Sequence, residues 1–267
     1  MKVVRTVAEV REHLREPQRR GERIGLVPTM GALHAGHRSL LDAARASCDV
    51  VVMSLFVNPS QFDAPDDLAR YHRDESADTA VANEAGVDIV FAPSAEALYP
   101  PGFDTWIDPG GLGDLLEGAA RPGHFRGVAT ICAKLFSIIN PDVAYFGEKD
   151  AQQVAVVRQV VRDLDLALEI VALPTIRERS GLALSSRNRF LSSEERSMAL
   201  ALPRALEAGQ EAHRSGTDAV AAAQAVLSAE PGFSVDYVAV ADFGTPTLVA
   251  AIRIGATRLI DNVRLGD

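Results

Sequence analysis

Through the first two-thirds of the chain, short apolar runs alternate with segments of helical periodicity. The runs are rich in β-branched residues and too short for typical helices, so each predicts a buried strand. Strands that alternate with helices favour a parallel sheet with right-handed crossover connections. The predicted strands are 24–27, 49–57, 87–91, 143–146 and 169–173, and the predicted helices are 38–47, 67–85, 127–139 and 151–164. The sequence therefore predicts an α/β fold with a parallel sheet and flanking helices.

The pattern changes after Pro174. The segment 177–189 is polar and loop-like, and the capping-box spacing of Ser192 and Glu195 predicts one long helix that ends near Arg214. A helix at 217–227 and strands at 235–241, 247–254 and 257–262 are predicted next. Since Gly or Pro turns separate these strands, a small antiparallel sheet is expected. We expect one domain at 1–175 and a smaller C-terminal α+β domain at 176–267.

Charge and composition exclude several classes of protein. The formal net charge of −9 argues against a broad basic face for nucleic acid. No apolar run reaches the ~18 residues of a membrane span, and the N-terminus lacks the apolar segment of a signal peptide. Cys48 and Cys132 show neither a disulfide framework nor metal-ligand spacing. We expect a cytoplasmic protein that binds neither nucleic acid nor membranes.

The segment Leu26 to His37 reads LVPTMGALHAGH and joins the first apolar run to a helix. Because a helix N-terminus favours anions, His34 and His37 are candidate donors to phosphate oxygens, and Gly36 leaves the backbone open to a nucleotide. The spacing alone also fits a pair of surface or capping histidines. A zinc site would need a third ligand, which neither cysteine supplies by its spacing.

Three further polar segments are candidates for binding. Asn58 and Gln61 follow the second strand, where amides can bind hydroxyl or carboxylate groups, although an ordinary Asn-Pro turn fits equally. The segment 147–150 (GEKD) follows a later strand, with Gln153 just beyond; a solvated helix start is the alternative. Ser185 to Asn188 lie in a loop that contains two hydroxyls and a guanidinium, and it also fits a plain surface loop.

Lysine is rare in this chain, which has 27 cationic residues of which only Lys2, Lys134 and Lys149 are lysine. A compact ammonium binds phosphate as a point charge, whereas arginine binds as a planar fork. Lys149 is therefore a candidate phosphate ligand. The segment RPGHFRG, with His124 and Arg126, forms another cationic cluster, to which spacing alone assigns no role.

The chain resembles the pantoate–beta-alanine ligase family over essentially its whole length. The resemblance depends on LVPTMGALHAGH, SLFVNPSQF, RPGHFRGVAT, AYFGEKDAQQ and GLALSSRN, which are specific in combination. HAGH is similar to the HxGH signature of nucleotidylyltransferases and class I synthetases, and LSSR is similar to the mobile loop that binds ATP phosphates. The chain departs from the family pattern at Ala35, where an acidic residue is frequent, and at His72, where proline is usual.

The resemblance implies a Rossmann-like fold and a two-step reaction. Pantoate carboxylate attacks the α-phosphorus of ATP to give pantoyl adenylate and pyrophosphate, and the β-alanine amine then displaces AMP. The implied catalytic residues are His34, His37 (the general acid), Lys149 and Arg187. The implied ATP-binding residues are Met30, Gly31, Ala32, Leu33, His34, Ala35, Gly36, His37, Gly147, Glu148, Lys149, Asp150, Ile176, Leu184, Ser185, Ser186 and Arg187. The implied substrate-binding residues are Gln61 and Gln153, and Asn58 is added from its place after the second strand.

The resemblance also implies a homodimer and Mg²⁺ on the ATP phosphates. No carboxylate cage for the metal is evident, so we expect ATP oxygens and water to hold it and predict no protein metal site. Two other functions stay open at this stage. A simple nucleotidylyltransferase would use the same HxGH turn without an amine step, and a non-catalytic nucleotide-binding module would lack the phosphate-binding groups, which Lys149 and Ser185–Arg187 argue against.

Overall fold

The structure is a computed structural model, which describes residues 1–62, 68, 71 and 74–266. The chain divides into two compact units. The first comprises Met1–Gly147 and Val156–Leu173, and the second comprises Glu148–Ala155 and Pro174–Asp267. The segment Glu148–Ala155, predicted above to belong to residues 1–175, thus groups with the C-terminal part of the chain.

The first unit is built on a parallel sheet, as predicted. Within the described residues the sheet has six strands in the order β1-β4-β3-β2-β5-β6, and every pairing is parallel. The strands are β1 Lys2–Val4, β2 Ile24–Thr29, β3 Val50–Leu55, β4 Ile89–Phe91, β5 Val143–Gly147 and β6 Glu169–Leu173. From β2 the chain adds β3 and then β4 on one side of the sheet. The next strands, β5 and β6, lie on the other side of β2. The strand order therefore reverses at β2, where open α/β sheets bind ligands.

Helices flank this sheet. They are α1 Val7–Arg19, α2 Ala35–Ser47, α3 Glu75–Glu84, α4 Ala95–Leu98, α5 Glu117–Ala120, α6 His124–Ile139 and α7 Ala151–Asp163. Helix α2 packs against β2, β3 and β5, and α1 packs against α6. Leu41 and Met53 are fully buried in the cluster between α2 and the sheet. Burial of such side chains stabilises the layered packing by roughly 1.5–3 kcal/mol each.

The N-terminal segment and the helix predicted at 67–85 differ from expectation. No element was predicted for β1 and α1, because β1 has only three residues and its neighbours alternate charged and apolar side chains. The predicted helix is observed as Glu75–Glu84, with Asp74 as its cap accepting a hydrogen bond from Ala77 N–H. Residues 67, 69, 70, 72 and 73, including the family departure at His72, lie outside the described residues.

The second unit contains the predicted antiparallel sheet, formed by β7 Ser234–Asp242, β8 Pro246–Ile254 and β9 Thr257–Arg264 in that order. Its helices are α8 Ser193–Ala199, α9 Ala201–Arg214 and α10 Ala219–Ser228. Helices α9 and α10 pack on each other, and α9 packs on β8 and β9. Leu202, Leu227 and Leu248 are fully buried in the resulting core.

The prediction of one continuous helix from Ser192 to Arg214 is wrong. The capping box at Ser192 and Glu195 is present, but α8 ends at Ala199 and α9 begins at Ala201. Pro203 explains the break, because a proline has no N–H to donate to the carbonyl four residues earlier and its ring clashes with that carbonyl. The same proline is tolerated within the first turn of the new helix.

None of the helices in the described part of the chain combines the length and the apolar character that a membrane crossing requires.

Candidate active site

The turn that follows β2 carries the two histidines. β2 ends at Thr29, and α2 begins at Ala35 with His34 as its N-cap. His34 has extended backbone angles (φ −139°, ψ 179°), so it precedes the first helical turn rather than belonging to it. The turn therefore lies at the carboxyl end of the strand where the sheet order reverses. The sequence predicted the strand-to-helix turn but not the reversal.

The histidines cap the helix in a reciprocal arrangement. Nδ1 of His34 accepts a hydrogen bond from Gly36 N–H at 3.1 Å, and Nδ1 of His37 accepts one from His34 N–H at 3.3 Å. The ring centroids lie 4.2 Å apart. In a neutral imidazole whose Nδ1 accepts, the proton is on Nε2, so each ring can donate from Nε2. The capping interpretation is thus correct, and it is compatible with phosphate binding.

Gly36 makes room for the cap itself, a role that the sequence did not predict. A Cβ at this position would lie 2.9 Å from Cε1 and 3.0 Å from Nδ1 of His34. Since real Cβ contacts of this length hardly occur, the missing side chain makes room for the imidazole of His34. Whatever access it gives a ligand, Gly36 is required for the cap itself.

A residue that the sequence did not reveal holds the rest of this turn. The buried carboxylate of Asp78, in α3, accepts hydrogen bonds from Ala32 N–H at 3.0 Å and from Leu33 N–H at 2.8 Å. Ala32 has a φ of +53°, which is uncommon for a residue with a Cβ and costs of order 1–3 kcal/mol. Asp78 therefore stabilises a strained turn directly before His34.

Gln61 lies in the same unit, in the 3-10 turn Pro59–Gln61 after β3. Its side-chain Oε1 accepts from Asn58 Nδ2 at 3.0 Å, and its Nε2 lies 3.1 Å from Sδ of Met30. A thioether is a weak acceptor, so the amide of Gln61 keeps most of its capacity to donate to a stronger acceptor. The structure thus brings the residues after β2 and after β3 together, as their positions at the ends of adjacent parallel strands predicted.

Asn58 is buried and serves the protein itself. Its Nδ2 donates to Gln61 Oε1 and to Gly127 O at 3.2 Å, while its Oδ1 accepts from Ser60 Oγ at 2.9 Å and from Tyr99 OH at 2.8 Å. These four bonds equal the capacity of an amide side chain. Burial raises the pKa of Tyr99, so its hydroxyl stays protonated and can donate. Asn58 orients Gln61 in this arrangement.

The backbone of Gln61 is held by the RPGHFRG segment, to which the sequence assigned no role. The carbonyl of Gln61 accepts from Nδ1 of buried His124 at 2.8 Å and from Nη2 of Arg121 at 3.1 Å. Gly127 permits this approach, because a Cβ there would lie 2.3 Å from the carbonyl oxygen of Ser60. Arg126, by contrast, stacks over Trp106, with its Cζ 4.9 Å from the centre of the ring.

In the second unit, Lys149 lies in the 3-10 turn Glu148–Asp150 that leads into α7. Its Nζ is 3.2 Å from Oδ1 of Asp150, and its side chain is 18% exposed. Glu148 forms an ion pair with Arg264. The ammonium is thus partly shielded from water. At such a site its attraction to an anion is stronger than at a fully exposed one, because water screens the charges less. Gln153 is half-buried in the first turn of α7.

Ser185 to Arg187 also lie in the second unit. The Oγ of Ser185 accepts a hydrogen bond from Arg187 N–H at 3.2 Å and caps the 3-10 turn Ser186–Phe190. Leu184 N–H donates to Ile176 O at 2.9 Å. Buried Asn188 donates to Ala183 O at 2.9 Å and to Glu178, which in turn pairs with Arg196. The loop thus has a defined conformation within this unit.

No group of three or more His, Cys, Asp or Glu side chains in the described part of the chain is placed to hold a metal ion.

Besides these local arrangements, the chain as a whole matches the sequence pattern of one family. The family model described as pantoate-beta-alanine ligase matches residues 2–264. The chain belongs to the pantoate–beta-alanine ligase family. Members of this family are ligases that condense pantoate with β-alanine in an ATP-dependent reaction.

Similar proteins agree with this membership. The chain is 50% identical to the pantothenate synthetase of Acidobacterium capsulatum, covering 100% of this chain and 98% of that protein. It is 48% identical to that of Moorella thermoacetica, with 99% of each chain covered. The crystal structure of pantothenate synthetase from Thermus thermophilus superposes with a TM-score of 0.93 at 46% identity, covering 99% of both chains.

A second solved structure bears on the ligands of the family. The pantoate-beta-alanine ligase of Francisella tularensis, complexed with beta-gamma ATP and beta-alanine, superposes with a TM-score of 0.87 at 34% identity. The match covers 100% of this chain and 98% of that one.

The α/β fold with a parallel sheet and a small antiparallel C-terminal sheet is therefore the family fold, which confirms the predicted fold class.

Proposed function

We propose that this chain condenses pantoate with β-alanine to give pantothenate, AMP and pyrophosphate through a pantoyl-adenylate intermediate. In the first step a pantoate carboxylate oxygen bonds to the α-phosphorus of ATP, and the bond from that phosphorus to pyrophosphate breaks. In the second step the β-alanine amine bonds to the pantoyl carbonyl carbon and loses a proton. The carbon–oxygen bond to AMP breaks, and AMP leaves with that oxygen.

The observation that carries this proposal is the histidine pair. Both Nδ1 atoms accept backbone N–H groups, so the proton of each neutral ring is on Nε2, beside a helix N-terminus that favours anions. We propose that His34 and His37 donate to phosphate oxygens, with His37 as the general acid. Fixed donors of this kind stabilise the charge that develops on a leaving pyrophosphate and need no reorganisation during the reaction.

Gln61 is the proposed pantoate ligand in the first unit. Its Oε1 accepts from Asn58, whereas its Nε2 donates to the thioether of Met30, a weak acceptor. An amide N–H of this kind is suited to a hydroxyl or carboxylate oxygen of pantoate. We assign Asn58 to the orientation of Gln61, since its own four hydrogen-bond positions are used within the protein. Gln153, on α7, is the second proposed pantoate ligand.

Lys149 and Arg187 are the proposed cationic ligands of the ATP phosphates. The partial burial of Lys149 supports its assignment, because screening by water weakens an exposed ammonium. The remaining proposed ATP ligands are the backbone and side chains of Met30 to Gly36, Gly147, Glu148, Asp150, Ile176, Leu184, Ser185 and Ser186. Phosphoryl-type displacement depends mainly on positioning and charge neutralisation, which these groups supply.

We propose that Mg²⁺ accompanies ATP and is held by phosphate oxygens and water. When bound, the ion neutralises phosphate charge and polarises the phosphorus–oxygen bonds. Removal of divalent cations with a chelator should abolish pyrophosphate release, and added Mg²⁺ should restore it. Release that continues in excess chelator would contradict this assignment.

An acyl adenylate reacts with water, so the enzyme has to exclude water from it. We propose that residues 1–175 bind pantoate and the nucleotide and that residues 176–267 shield the intermediate. We also propose that the enzyme acts in the cytoplasm and forms a homodimer, since most soluble homo-oligomers are two-fold symmetric. Light scattering should give a molar mass near twice that of the 28.5 kDa chain. A mass equal to one chain would contradict the dimer.

Product analysis tests the function. The enzyme is incubated with ATP and pantoate, with and without β-alanine, and the nucleotide and acyl products are separated. We expect pyrophosphate in both mixtures, limited to about one turnover without β-alanine, and pantothenate with AMP only when β-alanine is present. A free adenylylated product that accumulates over many turnovers in both mixtures would indicate a simple nucleotidylyltransferase instead.

A further inference from the structure

Strand β9 carries two adjacent buried polar residues, Asp261 and Asn262. A strand with one face on the core normally alternates in burial, and in β9 buried residues alternate with half-buried ones until these two. A buried polar group is costly unless it is hydrogen-bonded, so both side chains need partners inside the protein. Those partners are in segments of the second unit that the proposed function uses.

The amide of Asn262 holds the turn that contains Lys149. Its Nδ2 donates to Glu148 O at 2.9 Å and to Lys149 O at 2.8 Å, which uses both of its hydrogens. Two residues further along the same face of β9, Arg264 pairs with the side chain of Glu148. These bonds join residues more than a hundred positions apart in sequence. The conformation of the turn therefore depends on tertiary contacts and not on local structure alone.

Asp261 holds the segment that leads to Ser185. Its carboxylate, 1% exposed, accepts from Arg177 Nη1 at 2.5 Å and from Nη2 at 3.0 Å. Arg177 also donates to Gly181 O at 3.1 Å. Adjacent residues of one strand thus bind the Lys149 turn and the base of the Ser185–Arg187 loop.

We propose that Asn262 is a positioning residue that sets the Lys149 ammonium for phosphate binding. This inference depends on the proposed function of Lys149. The two bonds orient the peptide planes on either side of the Lys149 Cα, and therefore the direction of its side chain. The ammonium lies several bonds beyond that Cα, so a small rotation of the turn displaces it by about 1 Å, which can cost about 100-fold in rate.

The test replaces Asn262 with aspartate, which has the same shape but no N–H donors. A second variant, Asn262→Ser, removes both bonds without adding a charge. Asn83→Asp is the matched control, because the same chemical change is made at an exposed position of α3. Variants are compared after thermal unfolding has shown them to be folded. The readout is pantoate-dependent pyrophosphate release in a single turnover, with ATP varied at saturating pantoate and pantoate varied at saturating ATP.

We expect both Asn262 variants to lower the apparent kcat/KM for ATP by about 10- to 100-fold and to leave the pantoate KM within about twofold of wild type. Asn83→Asp should match wild type. In a Lys149→Ala background, Asn262→Ser should cause less than about a twofold further loss, because the group that it positions is absent. Wild-type activity in both Asn262 variants, or the same fold loss with and without Lys149, would overturn the proposal.

Hydrogen exchange separates this inference from the proposed function. Amides 148–151 should exchange at least about tenfold faster in both Asn262 variants than in Asn83→Asp or wild type, because the turn loses its tertiary bonds. Unchanged exchange at these amides would overturn the role of Asn262. If exchange accelerates while wild-type enzyme releases no pyrophosphate from ATP and pantoate, the proposed function fails and the positioning of the turn by Asn262 stands.

Discussion

The backbone N–H of His34 donates to Nδ1 of His37, while the ring of His34 accepts from Gly36 N–H. The capping-box geometry that normally uses serine or threonine with glutamate is here made by two imidazoles. Capping and proposed catalysis are therefore combined in the same side chains, and a simple alanine substitution would remove both.

Replacing His34 with asparagine should separate helix capping from the proposed catalytic role. Asn is a good N-cap residue, so His34→Asn should keep helix stability near wild type, whereas His34→Ala should lose about 1 kcal/mol in urea unfolding. Both variants should lower single-turnover adenylate formation by ~10²–10⁴, because both lack the Nε2 donor. Adenylate formation at the wild-type rate in His34→Asn would show that the imidazole serves only as a cap.

We expect that no other residue at position 149, including arginine, supports full activity. Lys149→Ala should lower adenylate formation severely without changing the unfolding temperature by more than a few degrees. Lys149→Arg should recover only part of the activity, because a planar fork does not replace a compact ammonium in a half-buried turn. Rapid-quench measurement of AMP and pyrophosphate checks this expectation, and full activity of the arginine variant would contradict it.

Asp78 should be needed for the turn before His34. In Asp78→Asn one of the two accepting oxygens becomes an NH₂ group that faces a backbone N–H, so a buried donor loses its acceptor. We expect a loss of about 1–3 kcal/mol in the free energy of unfolding and a higher KM for ATP. Asp42→Asn is the matched control. It removes an exposed pair with Arg38 on α2 and should change stability by less than about 1 kcal/mol. Equal effects of the two substitutions would refute the role of Asp78.

Oxygen labelling tests the adenylate route directly. If a pantoate carboxylate oxygen bonds to the α-phosphorus, pantoate labelled with ¹⁸O in its carboxylate should yield labelled AMP and unlabelled pyrophosphate. An acyl-phosphate route would instead release ADP and place the label in inorganic phosphate. Mass spectrometry of the nucleotide products distinguishes the two, and AMP without label would exclude the adenylate.

The sheet was predictable because its strands are short β-branched runs that stand out from amphipathic neighbours. β6 was predicted with its observed limits, Glu169–Leu173. β1 was not, since three residues give too few positions for any period to appear. Pro203 is the signal for the interruption at Leu200, whereas the capping box at Ser192 and the helical composition of the segment favour a continuous helix.

The candidate site was predictable only where residues follow strand ends. The proximity of Met30 and Gln61 follows from the pairing of β2 with β3, which parallel topology implies. The bonds of Asp78 to Leu33 and of Asn262 to Lys149 do not follow from any local pattern, since they depend on tertiary packing across 45 and 113 positions. The second of these bonds leaves a trace in the sequence, because two polar residues, Asp261 and Asn262, are adjacent at the end of the predicted strand 257–262.

Gln61 is held by its carbonyl as well as by its side chain. His124 and Arg121 bind the carbonyl oxygen, while Asn58 binds the amide. Because the carbonyl bonds do not involve the side chain, the backbone at position 61 should keep its position when the side chain is replaced. If Gln61 binds pantoate as proposed, substitutions at position 61 are the ones to try for changing which hydroxy acid is accepted. Asn58, His124 and Gly127 should then be kept, because they hold the backbone and side chain at position 61 in place.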